Sequence, residues 1–414
     1  MTQGERLVIQ RKAVMDFMEA NKRRPSKFVD SEKGLRNGGE APAETCECWR
    51  ISDFLWNVWE YKRVNQNIKD RIMLSVEYLP MQYYDAIIVR FNDDEGNAHN
   101  IIVDGGEVKS PKYCYTERLK GKLEKIFSKV ETIDLWVITH IDDDHIGGLF
   151  HFINDAEFFE RYHQQLKEVW INYGGKGDYG VQRTGTIGYH GGKELRDVLQ
   201  EKNVCVKEGI KAGYSISMGN AGITVIAPDD NSYKRYIEWW NGKEFKENVE
   251  TNDGLILGGD WDYDKKIKDF DMYRYDEDKE VKNKSSIAFV LSYHNHRVLF
   301  SADSCSTILM KGLKDAHFLK DGGTKLDLMQ IPHHGSNRNS SCDFLKCIEC
   351  PQYVITGNGE NKHKLPDKET IARLVAANPK GCELHFSCHN NKLREIFEDE
   401  EKLNLKVCYE AKFE

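Results

Sequence analysis

Thr139-His140-Ile141-Asp142-Asp143-Asp144-His145-Ile146-Gly147-Gly148 is the stretch on which the reading of this chain turns. It ends a run, residues 133–139, whose only charged residue is Asp134, and such a run predicts a strand buried on both faces. Two imidazoles and three carboxylates then fall within six residues. Gathered at a strand end, they would repel one another and desolvate badly unless a cation compensated. Neutral histidine nitrogen and carboxylate oxygen are natural ligands of a divalent metal, which removes that conflict. The plainer reading is a solvated acidic loop in which Asp143 or Asp144 favours the N-terminus of the next helix. Capping alone explains neither the two histidines nor the Gly-Gly doublet, so metal binding is the stronger expectation.

Outward from this stretch, β-rich runs are expected at 72–79, 86–91 and 100–103, the last ending at Asp104-Gly105-Gly106, with helical spacing over 116–130. A helix is expected to open at Gly147-Gly148. Further on come a strand at 168–172, a Gly-rich loop at 174–192, a helix near 193–201 and a strand at 223–227 stopped by Pro228. Residues 229–282 are charged and aromatic, too polar for core and too aromatic for a disordered linker, and predict an insertion over one face. Strands resume at 286–293 and 297–301 around a tight hairpin at His294-Asn295-His296, then at 326–331, 353–356 and 383–387, with helices at 306–317 and 368–377. Strands followed by helix, repeated in two halves, imply an α/β sandwich with sheets inside and helices outside. Residues 1–70 predict a helical extension and 71–414 the main domain.

Three later segments each bring a candidate ligand to a strand end: Asp303 after Leu299-Phe300-Ser301-Ala302, His333 and His334 in Pro332-His333-His334-Gly335-Ser336, and His363 after residues 353–356. A lone Asp or His at a strand end is ordinarily surface or cap. Three in succession after the first cluster point to one site at one edge of a sandwich.

At this point the chain resembles the metallo-β-lactamase superfamily, whose HxHxDH signature takes here the HxDxDH form of the ComEC-like branch. The order Val76-Glu77-Tyr78-Leu79-Pro80 to Asp85-Ala86, then Asn283 with Ser285-Ser286, Ser301-Ala302-Asp303 and His333-His334-Gly335-Ser336, matches that branch in type and sequence over roughly residues 72–390. Tyr84 stands where the branch usually has Gly, and Leu365 where a histidine is frequent. The resemblance implies an αββα sandwich binding two divalent ions, zinc or manganese. In that scheme His140 and Asp142 hold one ion, Asp144 and His145 the other, and Asp303 bridges them. His334 is the remaining ligand, and His333 either a ligand or a group supporting one. It further implies that Asp144 is catalytic and that His363 or Lys364 contacts a substrate anion or protonates the leaving group. The activity implied is hydrolysis, with a phosphodiester of a nucleotide or nucleic acid as the leading substrate. A lactone, thioester or amide hydrolase of the same fold, or a binding protein that has lost catalysis, are the alternatives.

Composition bounds these readings. The chain has 414 residues, 40% apolar and 30% charged, with a formal charge of −8. That argues against broad adhesion to nucleic acid and favours a small nucleotide or a single-stranded end. No run reaches the roughly 20 apolar residues of a membrane span, and the first residues lack a secretory h-region, so no membrane contact and a cytoplasmic location are expected. The eleven cysteines form no disulfide-like framework. Cys347-Ile348-Glu349-Cys350, Cys382 and Cys388 are expected to be packed thiols. The N-terminal extension is the expected surface for a protein partner.

Overall fold

The computed structural model describes residues 74–81, 84–174, 189–246, 261–320, 323–361 and 363–414. The expected N-terminal helical extension lies outside these residues, as do most of the Gly-rich loop and residues 247–260 of the insertion.

Two sheets carry the fold. In the first, strands lie in the order Lys412–Phe413, Leu74–Tyr78, Ala86–Asn92, Ala98–Asp104, Leu135–Val137, Val169–Trp170, Val206–Lys207. In the second the order is Leu405–Cys408, Cys382–Phe386, Gln352–Ile355, Leu328–Gln330, His296–Phe300, Ala288–Tyr293, Ala221–Ala227, Ser215–Met218. Each sheet joins an antiparallel meander to a parallel half. The first turns parallel beyond Ala98–Asp104, the second beyond His296–Phe300. Parallel neighbours need crossover connections, and helices supply them.

Strand alternation divides the core into layers. Ile88, Ile102 and Trp136 join the helix residues Leu123, Leu149 and Leu195 in one apolar cluster. Leu299, Met329 and Tyr353 join Leu309, Phe344 and Leu374 in a second. The intervening Ile87, Val89, Val103, Val298, Phe300 and Val354 are as deeply buried but belong to neither cluster, so they occupy the opposite faces. Phe91 of the first sheet and Tyr293 of the second meet with ring centroids 5.3 Å apart. The layers are therefore helix, sheet, sheet, helix, the αββα sandwich expected.

Two readings change. The helix after the acidic cluster is Asp143–Asn154, so Gly147 and Gly148 lie within it and do not open it. The segment 229–282 is not too polar for core: helix Asp230–Lys246 buries Tyr236 and Trp240 in the first cluster. Their i, i+4 spacing puts both on one face, while the charges that lower the segment's average hydropathy fall on the others. The second half of the segment meets the loop after Gln352–Ile355. Tyr263 Oη donates to Pro366 O at 2.8 Å, and the Asp262 carboxylate accepts from Lys368 N and Glu369 N at 2.8 and 2.9 Å.

Candidate metal centre

The carboxyl ends of parallel strands deliver the site, the place where open α/β sheets gather their functional groups. Leu135–Val137 leads to Thr139 and His140, His296–Phe300 to Asp303, Leu328–Gln330 to His333 and His334, and Gln352–Ile355 to Thr356. Ala302, His333 and His334 adopt φ of 46°, 49° and 53°. Such left-handed conformations cost about 1–3 kcal/mol each in a non-glycine residue and persist where surrounding bonds dictate them. Here His333 N donates to Ala302 O at 2.9 Å, tying the two turns together.

Two glycine doublets bring the first strands' end against the helix that carries Asp144 and His145. A Cβ on Gly147 would lie 2.3 Å from Glu107 C and 2.5 Å from Gly106 O, and one on Gly148 2.7 Å from Gly105 Cα. Only hydrogen fits there, and the contact is sealed by Gly147 N donating to Gly106 O at 2.8 Å. This approach places Asp104 beneath His145.

Each of the four histidines has its Nδ1 engaged by the protein. Nδ1 of His145 meets Asp104 Oδ2 at 2.8 Å, that of His333 meets Asn339 Oδ1 at 2.9 Å, that of His334 meets Thr356 Oγ1 at 3.0 Å, and that of His140 meets Thr139 Oγ1 at 3.1 Å. The opposite nitrogens converge on Asp303. From Asp303 Oδ2, His140 Nε2 is 3.5 Å away, His333 Nε2 3.5 Å and His145 Nε2 3.7 Å, while His334 Nε2 is 3.9 Å from Oδ1. Asp144 Oδ2 lies 3.8 Å from His145 Nε2 and 3.7 Å from His334 Nε2.

These spacings exceed a hydrogen bond, about 2.7–3.2 Å. They approach the separation of about 3.3–3.4 Å between neighbouring ligand atoms on a tetrahedral ion with bonds of about 2.0–2.1 Å. Nε2 of His140, His145 and His334 and Oδ1 of Asp303 are buried without a hydrogen-bond partner. A buried polar atom left so is costly unless something else satisfies it. Orphaned donor atoms facing one another, each imidazole oriented from behind, are what a metal site presents. The residues fit divalent metal: His140, His145 and Asp303 form one group of converging ligand atoms, and Asp144, His145 and His334 a second.

The electrostatics agree. Burial would strip the protons from these imidazoles, and it does hold His140 down, to about 4. At His333 and His334 the surrounding carboxylates, Asp303 foremost, outweigh burial and raise the pKa to about 9 and about 10. Asp104 and its neighbours likewise raise His145 against burial. Burial would raise Asp303, but the four imidazoles hold it well below the usual carboxylate range.

Seven expected site residues, His140, Asp142, Asp144, His145, Asp303, His333 and His334, thus come together. Asp142 is the outlier: it occupies the helix N-cap position without capping, and its Oδ1 accepts from Lys282 Nζ at 2.6 Å while Oδ2 stands 3.9 Å from His140 Nε2. Nε2 of His145 lies within reach of both groups of ligand atoms. His363 is exposed, and Lys364 places its Nζ 4.6 Å from the centroid of the Trp261 ring. Leu365, whose side chain has no ionisable group, is buried.

Asp104, Thr139, Asn339, Thr356, Asp85 and Lys282 escaped the sequence reading as site residues. Asp85 Oδ2 accepts from Gln330 Nε2 at 2.7 Å, and its other oxygen lies 3.5 Å from His334 Nδ1. Asp104 did have a signal, an Asp-Gly-Gly that closes strand Ala98–Asp104. The described cysteines are free thiols.

A family model described as the metallo-beta-lactamase superfamily matches residues 85–230. That match spans about a third of the 414-residue chain and includes Asp104, His140, Asp142, Asp144 and His145, so this part of the chain is similar to the metallo-β-lactamase superfamily. Among solved structures it is similar to a mutant of the CmlA β-hydroxylase, at 15% identity and TM-score 0.36, covering 76% of this chain and 52% of that one. It is also similar to a diphosphatase of the PhnP family, at 11% identity and TM-score 0.36, covering 83% of this chain and 98% of that one. A third similarity is to a long-form RNase Z from yeast, at 13% identity and TM-score 0.34, covering 69% and 37%. The chain therefore spans about half of the hydroxylase and less of the RNase Z. Among curated protein sequences none matches. No described helix is long and apolar enough to cross a membrane.

Proposed function

We propose that the chain is a metal-dependent phosphodiesterase or nuclease of the ComEC-like branch, hydrolysing a phosphodiester of a nucleotide or nucleic acid. The observation that carries the reading is the convergence of four Nε2 atoms on Asp303, three of them buried and unbonded, with the Asp144 carboxylate beside those of His145 and His334. The branch assignment is supported by Asp142 in place of the common histidine and by Ser285-Ser286 and His333-His334-Gly335-Ser336 lying at the same site.

His140, Asp142, Asp303 and His333 are positioned to hold one divalent ion, zinc or manganese, and Asp144, His145, His334 and Asp303 a second. Such a pair supplies an activated water near neutral pH and draws off charge from the leaving oxygen. The chain's own residues do the positioning. Asp104 keeps a proton on His145 Nδ1 and so directs its Nε2 lone pair into the site. Asn339 does the same for His333 and braces the turn by donating to Asp303 O at 3.0 Å. His363 and Lys364, on the loop that follows Thr356, are the proposed contacts to the leaving group.

The test is turnover by the purified, metal-loaded protein of bis-p-nitrophenyl phosphate, cyclic dinucleotides and single-stranded DNA, against lactone and thioester panels. Phosphodiester hydrolysis lost on Asp144→Ala is expected. Turnover confined to the lactones or thioesters would transfer the reading to that substrate class.

A further inference from the structure

The acidic run does not present three equivalent carboxylates. Asp144 faces His145 and His334, while the other two aspartates each have a lysine. Lys109 Nζ lies 3.1 Å from Asp143 Oδ2 on a side chain 60% exposed, an ordinary surface pair. Lys282 Nζ lies 2.6 Å from Asp142 Oδ1 on a side chain only 20% exposed, and it is built into place.

Lys282 stands in the short helix Val281–Lys284. Ser285 Oγ donates to Lys282 O at 2.6 Å, and Ile287 N donates to Thr139 O at 2.8 Å, on the residue before His140. On the other side Asn283 Nδ2 donates to Asp278 Oδ2 at 2.7 Å, an oxygen 3.6 Å from His333 Nδ1. The segment is therefore moored to the residues behind two of the histidines, and it projects an ammonium beside the carboxylate next to His140.

We infer that Lys282 contacts the substrate, its ammonium taking a non-bridging oxygen of the phosphodiester; the inference rests on the phosphodiester reading above. An ammonium has three donors, and Asp142 engages one. Lysine serves phosphate as a compact point charge, where geometry is set by the rest of the site. The need for it is electrostatic. The chain carries −8 overall, and Asp85, Asp104, Asp142, Asp144, Asp278 and Asp303 surround the histidines. These six carboxylates outnumber the four positive charges that two divalent ions would bring, so a fixed ammonium beside the site further offsets the repulsion of an anionic substrate.

The experiment compares wild type, Lys282→Met, Lys282→Arg and Lys109→Met, all loaded with manganese. Elemental analysis reads metal content, calorimetry reads the affinity for inorganic phosphate, and bis-p-nitrophenyl phosphate gives KM and kcat. Lys282→Met is expected to keep its metal, to bind phosphate about tenfold or more weakly, and to raise KM in proportion. Lys282→Arg is expected to recover part of the affinity, and Lys109→Met to stay within about twofold of wild type. Loss of metal from Lys282→Met with affinity lost equally in Lys282→Arg would make Lys282 a counter-charge for Asp142 only and overturn the inference. Unaltered phosphate affinity in Lys282→Met, or no phosphate binding by wild type, would also overturn it. Wild type that binds phosphate through Lys282 but hydrolyses no phosphodiester would defeat the phosphodiesterase reading alone. Phosphodiester turnover indifferent to Lys282 would defeat this inference alone.

Discussion

Asp104→Asn tests whether His145 is a ligand through Nε2. The wild-type carboxylate accepts three hydrogen bonds at 2.8 Å each, from Thr139 N, Thr139 Oγ1 and His145 Nδ1. An asparagine can keep the bond from Thr139 N, and the Thr139 hydroxyl can rotate to accept from the new amide. His145 Nδ1–H then meets an N–H of that amide, donor against donor. The imidazole escapes by moving its proton to Nε2, where it faces Asp303 and Asp144 and blocks ligation. Loss of such an orienting partner weakens metal binding about 10- to 100-fold, or roughly 1.4–2.7 kcal/mol. The cost to the metal-free fold is expected to be smaller. Burial already raises the Asp104 carboxyl to about 6 against the pull of His145, so the variant relieves a desolvated charge as it loses a hydrogen bond. Metal affinity is read by competition with a chromophoric chelator, stability by urea unfolding of the metal-free protein. Wild-type metal affinity in Asp104→Asn would refute the reasoning, because His145 could then not depend on its Nδ1 partner.

Other outcomes follow from particular contacts. Gly147→Ala drives a methyl into backbone at 2.3–2.5 Å and is expected to cost about 3 kcal/mol in urea unfolding, with metal affinity falling in step. Trp240→Ala, opening a cavity under helix Asp230–Lys246, is expected to cost about 3–5 kcal/mol in the same assay, which would fail if the helix were a loose lid. The metal-free protein should lose stability as pH rises from neutral. His333 and His334 have folded pKa values of about 9 and about 10, above an unfolded value of about 6.5. Their contribution is complete below the unfolded value and lost as pH passes through the folded ones. Unfolding scans from pH 7 to pH 10 check this. Metal added to the metal-free protein at pH 7.5 should also release about three protons per chain, one each from His145, His333 and His334, read by pH-stat.

The first ligand segment was legible in the sequence because His140–His145 is contiguous, and apolar runs lead to Asp303 and to His333-His334. Strand–helix alternation gave the layers for the same reason, each element carrying its own periodicity. What the sequence hid was pairing at a distance. Lys282 reaches Asp142 across 140 residues and Asp104 reaches His145 across 41, and neither lysine nor aspartate is unusual at its own position. The Gly147-Gly148 doublet was noticed but misplaced at a helix start, since its cause is the approach of Gly105 and Gly106. The burial of Tyr236 and Trp240 was hidden because a charged helix with one apolar face averages to a polar segment. Leu365 marked a departure from the resembled branch, and its burial shows a packing role.

The central claim is that Asp303 sits between two metal positions. The most direct measurement is elemental analysis of wild type and Asp303→Asn after saturation with zinc and removal of loosely held metal. The account predicts about two ions per wild-type chain and fewer than one for Asp303→Asn, with the variant still folded by circular dichroism. Wild type holding less than one ion, or Asp303→Asn retaining two, would contradict it.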